Sequence, residues 1–128
     1  MSLRKVKALL ALLCLAFLCA QTPASFAQRD VTRRLRFARG SSTARVEDAV
    51  VRGTRNRNVL AARKGQTMTV RITSLEDNAV FDITAPRGKQ LATETTEWTG
   101  ELPAAGNYVI SVGGTRGNAS YRLEVMIR

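Results

Sequence analysis

The sequence contains no histidine, and its two cysteines, Cys14 and Cys19, both fall within the first 20 residues. The missing imidazole removes the commonest general base and the commonest zinc ligand together. Aromatic residues are scarce at 5%, with one tryptophan, Trp98. No stretch repeats apolar residues at helical spacing for long, which argues against a helical domain. The longest apolar run, residues 8–20, has 13 residues, short of the ~20 that span a bilayer.

What stands at the start is a secretory leader. MSLRKVK carries three positive charges, the apolar run follows, and QTPASFA ends in a small-x-small pattern at Ser25 and Ala27. This layout predicts a signal peptide over residues 1–27, cleaved after Ala27, and no transmembrane anchor afterwards. Leu13 and Leu18 precede the cysteines where a lipoprotein signal needs a small residue, so lipidation is rejected. Removing 27 of 128 residues leaves 101, residues 28–128, the size of one domain without a cysteine. Export without disulfides points to a bacterial periplasm or secretion from such a cell.

Within residues 28–128 the dominant signal is alternation with period two. Met68, Val70 and Ile72 alternate with threonines and Arg71 in TMTVRIT. YVISV repeats the pattern with Tyr108, Ile110 and Val112, and YRLEVMI with Tyr121, Leu123, Val125 and Ile127. Weaker candidates are RLRFA, ARVEDAVV, NVLAA, VFDIT and the segment at 97–102, with turn signals such as Arg63-Lys64-Gly65 and Pro86-Arg87-Gly88 between strands. About eight short strands at this spacing predict an all-β, antiparallel sandwich, jelly-roll-like. Glu47 and Asp48 interrupt the apolar run of ARVEDAVV, so a bulge is expected there. Trp98 is expected in the core or at its edge.

Charge is lopsided. Residues 28–71 hold 12 basic and 3 acidic residues, and residues 72–128 hold 5 basic and 7 acidic ones. The basic half is nearly all arginine, with Arg33, Arg34, Arg36, Arg55 and Arg57 as a candidate surface for anionic envelope polymer or lipid head groups. Nucleic acid is a poor fit, because the chain is read as exported and only Phe37 interrupts the basic run as a stacking ring.

Catalytic chemistry has little to stand on. No serine sits in a nucleophile elbow or an SxxK motif. Glu94, Glu97 and Glu101 could supply paired carboxylates, but acids on a polar stretch read as solvated surface. Glu76, Asp77 and Asn78 lack the spacing of a calcium loop. No metal and no cofactor is expected, and the chain reads as a binder and not an enzyme. The stretch GGTRGNASY, residues 113–121, stands between two strand patterns. It is either a hairpin turn whose glycines supply positive φ, or a loop that presents Arg116.

In order, RLRFARGSSTARV, VRG, AARKGQTMTVRI, GELPAAGNYVISV and SYRLEVMI resemble exported β-sandwich domains related to the bacterial pre-peptidase C-terminal domain. Within that group the chain is similar to the periplasmic inhibitors of g-type lysozyme. The most specific pieces are KGQ with its following strand, and LPAAGNY at 102–108. The resemblance implies a jelly-roll-like sandwich and a lysozyme as partner. It also implies a binding loop before the last strand that enters the muramidase cleft. Thr115, Arg116, Asn118 and Tyr121 are the partner-binding residues so implied, on a loop shorter than in such inhibitors and without their basic stretch before the tyrosine.

Overall fold

Strands that alternate apolar and polar residues are stable only when two such faces close on each other. The computed structural model describes residues 30–128, so the leader read at 1–27 lies outside the described residues. The strands are β1 (Val31–Arg34), β2 (Thr43–Val50), β3 (Asn56–Ala62), β4 (Thr67–Ser74), β5 (Ala79–Thr84), β6 (Gln90–Thr95), β7 (Glu97–Glu101), β8 (Gly106–Gly114) and β9 (Ala119–Ile127). They form a five-stranded sheet in the order β1-β3-β8-β5-β6 and a four-stranded sheet in the order β2-β9-β4-β7. Strands β2 to β9 thus divide into two four-stranded sheets in jelly-roll order, and β1 is added at one edge.

The inner faces carry the expected alternation. Leu60, Tyr108, Ile110, Val112, Phe81 and Ile83 of one sheet meet Val50, Met68, Val70, Ile72, Leu123 and Val125 of the other, all buried. Each such side chain contributes about 1.5–3 kcal/mol when fully withdrawn from water. Trp98 is half-buried against this core and lies over Gly100, at the core edge where the sequence places it.

The jelly-roll-like sandwich is as expected, and four details differ. The sheets are not wholly antiparallel, because β1 pairs with β3 in parallel. Within RLRFA only Arg34 belongs to a strand; Leu35 donates one more backbone hydrogen bond, to the Val59 carbonyl (2.8 Å), before the chain departs. Strand β6 had no counterpart in the sequence reading: QLATET is an edge strand with no fully buried residue, and its two core-packed apolar residues, Leu91 and Ala92, are adjacent and only partly buried, so no alternation marks it. Finally, β2 pairs with β9 residue by residue from Thr43 to Val50, with no bulge at Glu47 and Asp48. Asp48 stands opposite inward-facing Tyr121 yet remains beside the open edge, where Arg33 of β1 pairs with it. An ion pair across the two sheets, not a bend in the strand, accommodates the acid.

Candidate functional site

Of the connections that cross from one sheet to the other at one end of the sandwich, three bond to one another, and the fourth is the single residue Thr96 between β6 and β7. The three are 51–55 between β2 and β3, 75–78 between β4 and β5, and 115–118 between β8 and β9. The GGTRGNASY stretch is therefore not a hairpin, since β8 and β9 lie in different sheets. Its glycines serve close approach more than turn chirality. Gly113 ends the row on which the Arg55 side chain lies, and a Cβ there would collide with Arg55 Nη1. At Gly114 a Cβ would strike the carbonyl oxygen of Gly117. Only Gly117, with φ of 77°, takes a left-handed conformation.

Buried backbone must be paired, and here two asparagines meet that need. Asn78 is buried, and its Nδ2 donates to the Asn118 carbonyl (2.9 Å). The Asn78 carbonyl accepts the Thr115 N–H (2.9 Å), while Ser74 Oγ accepts the Asn78 N–H (2.9 Å). Asn118 Oδ1 accepts the Arg52 N–H (2.7 Å), which ties the loop to the β2–β3 connection. Arg116 Nη2 donates to the Glu76 carbonyl (2.9 Å). The three connections are thus one hydrogen-bonded ridge.

Of the residues placed on this loop by the sequence, Thr115, Arg116 and Asn118 are exposed on the ridge. Tyr121 is not with them. It is buried at 4% exposure, and its hydroxyl accepts from Asn56 Nδ2 (3.0 Å) inside the sandwich. The alternation of β9 turns it inward, so it supports the ridge from beneath and offers no contact surface. The sequence reading passed over two residues. Asn78 was weighed as part of a turn and as a calcium ligand, and its side chain holds the loop. Leu75 is 93% exposed. Its signal was available: it falls one step off the inward parity of Met68, Val70 and Ile72.

The arginines do not form one uniform basic face. Arg34, Arg55 and Arg57 share the outer face of the five-stranded sheet, while Arg33 faces the opposite way, at the edge between the sheets. Arg55 pairs with Asp82 and also donates to Ser111 Oγ (3.1 Å); Arg57 pairs with Asp30 (2.9 Å). Arg34 donates to Asn107 Oδ1 (3.3 Å), and Arg36 is exposed beyond β1. The four-stranded sheet carries a row in register, Arg45–Glu124–Arg71–Glu97, of alternating sign. Glu97 thus faces Arg71 (2.8 Å), and Glu94 stands on the other sheet, so the three candidate carboxylates do not converge. Among the described residues no group of three or more Asp or Glu could hold a metal ion, and no helix is long and apolar enough to cross a membrane.

No protein-family model matches the sequence, and no curated protein does. Solved structures do match. Aeromonas hydrophila PliG, a periplasmic lysozyme inhibitor of g-type lysozyme, is 29% identical with a TM-score of 0.69, covering 78% of this chain and 99% of that one. Salmonella Typhimurium PliG, also a periplasmic inhibitor of g-type lysozyme, is 22% identical with a TM-score of 0.64, covering 77% and 98%. The pre-peptidase C-terminal domain of a Bacillus anthracis collagenase is 10% identical with a TM-score of 0.59, covering 75% and 95%. At the two lower identities the likeness is one of fold. The chain therefore has the sandwich shared by these inhibitors and the pre-peptidase C-terminal domain, as the ordered sequence segments imply.

Proposed function

We propose that this domain is an exported, non-catalytic binding protein of the bacterial envelope that inhibits a lysozyme by laying the 115–118 loop across the muramidase cleft. The observation that carries the reading is the placement of Arg116. It is exposed at one end of a fold like that of the Aeromonas hydrophila inhibitor, and no carboxylate pairs with it among the described residues. A guanidinium suits a carboxylate in geometry and charge, and glycoside hydrolases act through carboxyl groups in the cleft. Thr115 and Asn118 flank the contact, and Tyr121 acts by holding the strand below them.

Titration of residues 28–128 against g-type, c-type and i-type lysozymes tests the reading. Stoichiometric loss of muramidase activity is expected for one class. Arg116→Ala is expected to weaken inhibition about 30-fold or more, as for other charged hot spots at a desolvated centre. Its melting temperature should fall only slightly, because the side chain and its bond to the Glu76 carbonyl are exposed. Failure of the folded wild-type protein to inhibit any class overturns the proposal. The competing reading, capture of anionic polymer or lipid head groups by the arginines of residues 33–57, has less support. Three of its five candidates, Arg33, Arg55 and Arg57, are paired with carboxylates. It predicts binding that collapses with added salt.

A further inference from the structure

Leu75 is the one large apolar side chain of the described residues that the fold leaves almost wholly in water, at 93% exposure. The other exposed large hydrophobic residues, Val31 and Val51, stand at 48% and 38%. A single exposed leucine is ordinary on a protein surface and by itself says little. What distinguishes this one is its fixed position. It immediately precedes Glu76, whose carbonyl holds the Arg116 guanidinium at 2.9 Å. Behind it, Ser74 Oγ accepts the Asn78 and Ala79 N–H groups at 2.9 and 3.3 Å, and Asn78 is bonded to the loop that carries Arg116. The Arg116 guanidinium is thus bonded to the residue next to Leu75, on a turn whose Asn78 and Ala79 amides are held by Ser74, so the backbone that carries the leucine is ordered before docking.

The surroundings sharpen the point. An open groove of about 470 Å³ runs beside Leu75, and its other lining residues include Glu47, Thr73, Ser120 and Arg122. The leucine is an apolar knob on a polar rim. Interfaces concentrate their energy in such knobs at the centre, with polar groups around them that exclude water. A knob also suits a concave partner, since a flat one would leave its flanks wet.

We propose that Leu75 is a second anchor of the ridge, filling an apolar depression in the wall of the same muramidase cleft whose carboxylate Arg116 meets. The inference rests on the lysozyme-inhibitor reading and extends it: the target cleft carries an apolar wall beside its acid, and Leu75 sets which lysozyme fits. Desolvating Leu75 also strengthens the neighbouring Arg116–carboxylate pair by lowering the local dielectric.

The experiment compares wild type, Leu75→Ser, Leu75→Met and Arg116→Ala against the lysozyme class that wild type inhibits, at low and high salt. Leu75→Ser is expected to raise the inhibition constant about tenfold to a hundredfold, with an unchanged melting temperature. The loss should persist at high salt and reside in a faster dissociation rate. Leu75→Met should restore most of the affinity, because a flexible apolar side chain fills similar space. Arg116→Ala should instead lose less at high salt, where the wild-type ion pair is already weakened. If Leu75→Ser inhibits as well as wild type, the anchor is overturned while the inhibitor reading stands. If wild type inhibits no lysozyme, both fall together.

Discussion

The two ends of the sandwich are shaped by different chemistry. At the end that carries the β7–β8 connection, an aromatic ring does the shaping. Tyr108 is fully buried, and its hydroxyl donates to the Ala104 carbonyl (2.7 Å) and accepts the Ala104 N–H (3.2 Å). Leu102 is buried beside it, and an open depression of about 440 Å³ is lined in part by Phe37, Ala62 and Ile127. At the other end Tyr121 lies beneath the ridge, but amides and not its hydroxyl hold the connections. Asn78 and Asn118 bind backbone groups of neighbouring connections, and the long side chains of Leu75 and Arg116 remain outside. A buried aromatic folds a connection down by covering apolar surface. A buried amide can fix backbone positions while leaving adjacent side chains free to be presented.

That contrast can be broken at either end. The largest effect on stability is expected from Asn78→Ala. It removes the donor to the Asn118 carbonyl in a buried setting and should cost about 1–3 kcal/mol. Thermal unfolding reads the loss, and faster amide exchange at Thr115 should accompany it, since the loop freed at Asn118 no longer holds the Thr115 N–H on the Asn78 backbone carbonyl. An unchanged exchange rate would mean the 115–118 loop holds its shape without the amide. A smaller effect, about 0.5–1.5 kcal/mol, is expected from Tyr108→Phe, which keeps the ring and loses the bonds to Ala104. Inhibition by this variant should equal that of wild type, because the change lies at the far end; weakened inhibition would show that the two ends are coupled. The smallest effect belongs to the charge row across the four-stranded sheet. Arg71→Ala should cost about 0.2–1 kcal/mol at low salt and less as salt is added, since both Arg71 and Glu97 are largely solvated. Chemical unfolding at two ionic strengths measures it.

The strands that bury a face were legible because burial writes itself into the sequence with period two. TMTVRIT, YVISV and YRLEVMI are read correctly down to the inward residues, and Ile127 alone among these is only partly buried. Where no face is fully buried, the signal fades, which is why β6 was missed and β1 was placed a few residues late. The candidate site was legible in part. Arg116, with Thr115 and Asn118, could be located on a loop from its neighbours. Tyr121 was read both as an inward residue and as a contact residue, and the two roles exclude each other on one strand.

By itself the sequence determined the fold class, the two apolar faces and the absence of imidazole and thiol chemistry from residues 28–128. These depend on residue type and local spacing alone. Tertiary structure decided everything that depends on which segments meet. It sends β8 and β9 to different sheets, so the stretch between them is a corner. It sets Arg33 against Asp48 and Arg55 against Asp82, which dismantles the uniform basic face that a charge count suggests. It brings Leu75 and Arg116, 41 positions apart in the numbering, onto one ridge through a single backbone carbonyl at Glu76. Pairing across sheets is a long-range choice, made where the whole set of side chains buries best, and no short window of sequence contains it.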